Sequence, residues 1–373
     1  MLKSVKRLSK MNPFLYEPVY LTFVVLFSVW IGVSRLLSPG YSYQKQGSGW
    51  LFPFLSCLVF AIWLGLRPIS GAAFGDTANY AYEYGMKGIY EVQMNWHSEW
   101  IWQWLMITCK AAGLSVNTFF LIVELFYVLT SFFAARRFSP SDPMLAMLFV
   151  AGSLMFFTFG VNGIRNGMAC HIVLLAISFL LDDKYVTGGL LCLLAFGIHR
   201  STALPIIAAL IAIFVIRDYR YALGFWILSI FVSLIAGGAV SNFFANLGFD
   251  DRMTQYTSIK DMSLFSRKGF RWDFLLYSAM PVAMGWFICV KRKIQDNWYN
   301  AICMVYCLCN AFWIMVIRSS YSNRFAYLSW FIYPIVIAYP LINLPVWEDQ
   351  DRKTGLILMA YVSFTVIMMA VVW

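Results

Sequence analysis

Apolar stretches of membrane-spanning length recur along almost the whole chain, and they leave few fold classes open. A spanning helix needs about 20 mostly apolar residues. By that rule the candidate spans are 18–37, 50–66, 116–135, 143–160, 166–181, 187–199, 203–216, 221–239, 273–290, 298–317, 325–343 and 355–373, about twelve in all. The stretches 187–199 and 203–216 are short, as broken or re-entrant segments are where backbone lines a polar cavity. Only 12% of the residues are charged, against about a quarter in a soluble domain. The expected fold is therefore all-α, a polytopic membrane helix bundle that forms a single integral membrane domain over residues 1–373. Within it, 67–115 reads as an extracytoplasmic segment carrying an interfacial helix, and 240–272 as an extracytoplasmic loop.

The net charge of +10 does not point to nucleic acid, because no soluble segment carries a basic patch interleaved with aromatics. The basic start (Lys3, Lys6, Arg7, Lys10) precedes a run long enough to span and without a small-residue cleavage site, unlike a signal peptide. Of the eight cysteines, most lie inside apolar runs, with neither disulfide nor zinc spacing.

Orientation follows from lysine and arginine in short loops. One alternating set of loops holds Arg136-Arg137, Lys184, Arg217 with Arg220, Lys291-Arg292-Lys293 and Arg352-Lys353, compact basic turns of cytoplasmic character. The opposite set holds the Asp76 segment, the Arg165 turn, His199-Arg200, the 240–272 stretch and Arg318 to Arg324. The same alternation puts the basic N-terminus outside, against the positive-inside rule; the internal loops outnumber it.

Cationic side chains in or beside lipid are costly, so each marks a candidate functional site. Arg165 sits in a turn between two apolar runs. Asn162 is placed to cap the helix that starts there. Arg165 would then lie in the first turn, where the helix dipole disfavours a cation unless an anion is near. His199-Arg200-Ser201 ends one short span and begins the next. A histidine there can take a proton from a hydroxyl, and Arg200 can hold an anion. Arg67 precedes Asp76, Tyr80 and Tyr84, whose four-residue spacing puts them on one helical face. A carboxylate with aromatic rings suits a sugar. Trp96, Trp100 and Trp104 share the same spacing and suit a helix lying in the interface; His97 and Glu99 between them are not singled out. Arg271 stands just before a span, and Arg318 and Arg324 flank hydroxyl side chains, a set suited to phosphate oxygens. There is no P-loop, dinucleotide fingerprint or paired-histidine zinc motif.

The segment Asn162-Gly163-Ile164-Arg165-Asn166-Gly167-Met168-Ala169, with Gly197-Ile198-His199-Arg200-Ser201-Thr202-Ala203, resembles the core signature of the EpsG-type, Wzy-like bacterial polysaccharide polymerases. Leu66-Arg67 and Gly75-Asp76-Thr77-Ala78-Asn79-Tyr80 follow the family's early pattern loosely, and Arg324 falls where a late arginine is expected. The resemblance covers roughly 50–345. It implies a GT-C-type glycosyltransferase of the bacterial inner membrane, with its active site facing the periplasm. Its substrates would be polyprenyl-diphosphate-linked oligosaccharides for O-antigen, capsule or exopolysaccharide. Membrane lipid, a chain-length regulator and a flippase are the implied partners. His199 or Asp76 would be the base, with Arg165 in the catalytic set. Arg67, Tyr80, Asn162, Asn166, Arg200, Arg271, Arg318 and Arg324 would bind substrate. No metal or other cofactor is expected, since arginines can supply the charge stabilisation.

A membrane acyltransferase would need its carrier to reach the cytoplasmic side, and a flippase would need charge running through the bundle. Clustering of the motifs at span ends on one side speaks against both. A ligase shares nearly all these features and differs in its acceptor. The orientation makes a direct prediction: alkaline phosphatase fused after Ala78 or His199 is active, and fused after Arg137 or Lys184 is inactive. The reverse pattern would overturn the assignment of sides.

Overall fold

The computed structural model describes residues 11–37, 49–86, 98–246, 269–318 and 322–372, and every regular element among them is helical. The chain divides into two compact units, residues 1–199 with 341–373, and residues 200–340. Among the described residues, seven helices are long and apolar enough to cross a membrane by length and composition, and four shorter apolar ones accompany them. The basic start, Trp96, His97 and residues 247–268 lie outside the described residues.

In the first unit α1 (Tyr16–Leu37) and α2 (Leu51–Gly65) precede two short helices, α3 (Gly71–Phe74) and α4 (Thr77–Met86). Helix α5 (Trp100–Ala111) follows, then α6 (Val116–Phe138), started by Ser115, whose hydroxyl accepts from Thr118 N–H at 3.2 Å. Arg136 and Arg137 in its last turn suit the negative end of the dipole. The stretch expected as one span over 143–160 is two helices, α7 (Pro143–Ala151) and α8 (Phe156–Val161). They part at 152–155, and side chains take up the backbone carbonyls of Gly152 and of Phe156, the first residue of α8. Thr365 Oγ1 donates to Gly152 O at 2.8 Å, and Tyr127 OH to Phe156 O at 2.9 Å. Helices α9 (Ile164–Leu180) and α10 (Tyr185–Ile198) then pack against each other.

The second unit holds α11 (Ala203–Leu210), which continues as a π-turn over Ile211–Val215, and α12 (Tyr219–Asn246). Helix α12 has a non-helical residue at Ala236 and continues past position 240 to Asn246. Then come α13 (Trp272–Gly285, with a π-turn over Trp286–Lys291), α14 (Asn297–Met315), α15 (Ser322–Trp330) and α16 (Tyr333–Asn343). Asn310 ties its interior together: it accepts from Trp226 Nε1 at 2.8 Å and donates to Ser329 Oγ at 2.9 Å. The last helix, α17 (Gln350–Val372), belongs to the first unit and packs along α1.

Two buried arginines sort the helix ends of the first unit. At one end Arg35, closing α1, pairs with Asp142 at 2.6 Å and lies 3.5 Å from Asp351. Arg137 pairs with Asp182 in the turn after α9 at 2.9 Å. Hydrogen bonds from Lys184 and Arg137 hold the Asp182 carboxyl below the ordinary carboxylate range. At the other end Arg67 is 1% exposed. It donates to Leu64 O at 3.0 Å, Thr77 Oγ1 at 3.2 Å and Val161 O at 3.3 Å, and faces Glu124 at 3.6 Å. Burial pushes its proton affinity down while Glu124 opposes the shift. These pairs group the helix ends as the loop charges did: basic turns at one end, the motif-bearing segments at the other.

Removing one partner of a buried pair leaves an uncompensated charge, at about 3 kcal/mol or more. Glu124→Leu should therefore lower the thermal unfolding midpoint in detergent sharply. Arg67→Met together with Glu124→Leu should recover most of the loss; no recovery would mean that Arg67 acts through its carbonyl contacts instead.

Candidate functional site

The motif-bearing end of the first unit is assembled around residues 161–165. Thr77 Oγ1 donates to Val161 O at 2.5 Å, and Arg67 reaches the same carbonyl. Asn162 was expected to cap α9. Instead the residue before α9 is Gly163, with no side-chain cap, and Asn162 Oδ1 accepts from Asp76 N–H at 2.8 Å. The carboxamide thus serves the start of α4, 86 residues away, and ties Asp76 to the turn that carries Arg165. Gly75 makes this possible. Its φ is +52°, and a Cβ there would lie 2.5 Å from Asn162 Oδ1. Asp76 itself is half-buried and accepts from Asn79 Nδ2 at 3.1 Å.

Arg165 lies in the first turn of α9, as the sequence indicated, and its counter-charge is Glu99. Glu99 Oε2 meets Arg165 Nη1 directly, and its other oxygen, Oε1, is 2.5 Å from His199 Nδ1. An ionised carboxylate only accepts, so Nδ1 carries the proton and the imidazole lone pair is on Nε2. The three side chains are 13%, 18% and 14% exposed. Nε of Arg165 is buried and meets no acceptor among the described residues.

Each member is placed at a helix end. Arg165 follows the turn between α8 and α9. His199 ends α10 in an extended conformation, φ −148° and ψ 111°, so the break expected between 187–199 and 203–216 falls at the histidine. Glu99 immediately precedes α5 but does not cap it, because its carboxylate turns to Arg165 and His199 instead. Gly197 lets α5 approach α10: a Cβ there would fall 2.6 Å from Ile101 Cγ1.

Glu99 is the residue that sequence reasoning missed. A carboxylate at a helix start is ordinary, since the dipole favours it there. The only available signal was an acid between tryptophans in a chain with few acids.

The remaining candidates are dispersed. Tyr80 is 7% exposed and packs edge-on to Trp102, 5.5 Å between centroids. Tyr84 stacks on Phe119 and donates to Leu114 O at 2.8 Å. Both tyrosines thus fill the interior, where a row of open sugar-facing rings had been expected. Arg67 was expected to bind substrate; its guanidinium is committed to Glu124 and three protein oxygens. Asn166 is half-buried and accepts from Cys170 Sγ at 3.1 Å. Trp102 is buried, whereas Trp104 is exposed.

In the second unit, Arg271 forms a two-pronged pair with Asp273, Nη2 to Oδ2 at 2.6 Å and Nε to Oδ1 at 2.9 Å, and lies over the Phe274 ring. Its charge, expected to face a ligand, is met two residues along the chain. Arg318 is exposed and lies over the Phe270 ring at 5.8 Å. Arg200 and Arg324 are half-buried, and residues 319–321 between the two late arginines lie outside the described residues. No group of three His, Cys, Asp or Glu side chains among the described residues converges as a metal site would.

The model of the EpsG family matches residues 50–373. Comparison with curated proteins and with solved structures gives no match.

Two variants test the tie between the early motif and the Arg165 turn. Asn162→Ala removes the acceptor for Asp76 N–H and should cost about 1 kcal/mol, as loss of a cap does. Gly75→Ala adds left-handed strain and a collision with Asn162, and should cost more. Thermal unfolding of both in detergent checks the order; equal stability to wild type would break the tie.

Proposed function

The chain belongs to the EpsG family, and from that premise we propose that it is a membrane glycosyltransferase of the GT-C type. It joins polyprenyl-diphosphate-linked oligosaccharide repeat units into O-antigen, capsule or exopolysaccharide. The bundle is read as about twelve spans in a bacterial inner membrane, with the Arg165 end facing the periplasm. A flippase that delivers lipid-linked units and a chain-length regulator are the partners this role calls for.

The observation that supports this reading is the cluster of Arg165, Glu99 and His199 at the motif-bearing end of the first unit. It combines an anion-binding guanidinium with an imidazole oriented by a carboxylate. A hydroxyl of the incoming unit attacks the anomeric carbon of the growing chain. The bond from that carbon to the diphosphate oxygen breaks, and the hydroxyl proton passes to His199 Nε2. Arg165 stabilises the charge that develops on the departing diphosphate, the kind of electrostatic term that often contributes most to catalysis. Asp76, anchored by Asn162 to the same turn, is the second candidate base and is suited to accept sugar hydroxyl protons. Arg200, Arg318 and Arg324 are further ligands for the lipid diphosphate.

The test is the length distribution of surface polysaccharide in a deletion strain carrying wild type or Arg165→Ala. Loss of the gene should leave single repeat units on the lipid, wild type should restore long chains, and Arg165→Ala should reduce polymerisation by about 100-fold or more, as loss of one charge-stabilising donor does. Normal chain lengths without the gene would overturn the polymerase reading. Full restoration by the variant would reduce Arg165 to a lipid-headgroup contact.

A further inference from the structure

We infer that Glu99 is a positioning residue that links anion binding at Arg165 to the basicity of His199. An anion that takes over the Arg165 guanidinium leaves the Glu99 charge to act on the imidazole. The inference rests on the reading above that Arg165 meets the diphosphate of the lipid-linked substrate.

Three features carry it. The two oxygens of one carboxylate are divided between the two partners, Oε2 to Arg165 and Oε1 to His199. All three side chains are largely withdrawn from water, so their charges are weakly screened. Glu99 Oε2 meets the guanidinium at Nη1, and the Arg165 side chain keeps 13% exposure. A phosphate oxygen can engage the exposed part of Arg165 while the Glu99 contact loosens.

The consequence for His199 follows from the charges around it. Glu99 comes from α5, Arg165 from α9 through Glu99, and Arg200 is next in the chain. Without an anion, the Arg165 guanidinium offsets part of the Glu99 charge that faces the imidazole. An anion on Arg165 removes that offset. Glu99 then stabilises the imidazolium that forms when the hydroxyl proton arrives. An opposite charge within about 4–6 Å shifts a proton affinity by one to three pKa units, so the effect is large enough to matter for a general base working near neutrality. The site would thus become strongly basic only when the lipid diphosphate is seated.

The chain has three histidines, so ¹⁵N-histidine labelling of the full-length protein in detergent yields a short spectrum, with His199 assigned by its loss in His199→Gln. The titration is run with and without farnesyl diphosphate, whose binding is measured separately with a radiolabelled sample. In wild type the probe should raise the proton affinity of His199 about tenfold or more. In Glu99→Gln the probe should still bind, and less than half of the rise should remain. Binding in wild type with no shift, or the full shift in Glu99→Gln, overturns the coupling and leaves the polymerase reading standing. Failure of wild type to bind the probe at all would overturn the role of Arg165, and the coupling with it. Absence of a shift in wild type overturns the coupling by itself; should Glu99→Gln not fold, Glu99→Asp, whose shorter side chain cannot span both partners, is held to the same criterion.

Discussion

The carboxylate of Glu99 is the interaction on which the candidate site depends. A guanidinium in the first turn of a helix is opposed by the dipole, and beside an apolar bundle it is also poorly hydrated. An imidazole at the end of another helix has no inherent orientation. One carboxylate answers both: it compensates Arg165 and fixes the tautomer of His199. It can do so because it sits just before α5, where the side chain makes no cap hydrogen bond. Three helix ends, brought to one place, create a polar site at the end of a largely apolar unit.

Around that site, buried polar groups hold the frame. Arg67 gathers the end of α2, the start of α4 and the end of α8, with Glu124 from α6 as counter-charge. Asn162 brings Asp76 to the turn before α9. A buried charge is tolerated only when paired and hydrogen-bonded, so these residues restrict how the helix ends can be arranged. Arg35 with Asp142 and Asp351 performs the same service at the opposite end of the unit. The arginines thus divide into classes that composition cannot distinguish. Arg67 is held by Glu124 and three protein oxygens, Arg35 by Asp142 and Asp351, Arg271 by the neighbouring Asp273, and Arg165 by Glu99, which it shares with His199.

Much of this was legible from residue order. The apolar stretches located the helices, and the break at His199 and the first-turn position of Arg165 were read from short runs and turn residues. Membrane-spanning helices announce themselves because hydrocarbon forces every backbone group into local hydrogen bonds. The interruption at 152–155 was not legible, because the carbonyls of Gly152 and Phe156 at its two ends are taken up by Thr365 and Tyr127, distant in sequence. Tyr80 and Tyr84 share a face as their spacing required, yet the face is turned inward onto Trp102 and Phe119.

What the sequence by itself determined, then, is the all-helical membrane class, the ends at which unusual charges collect, and the family to which the chain belongs. Each of these depends on local composition, local spacing or a contiguous motif. Tertiary structure alone decided which charges meet. Glu99 and His199 are 100 residues apart, Asp76 and Asn162 are 86 apart, and Arg67 and Val161 are 94 apart. Pairings of that range depend on how helices cross, and a crossing is set by side-chain volumes on both partners, as where Gly197 admits Ile101. No single segment carries that information, so an acid that looked like an ordinary helix start proved to be the centre of the site.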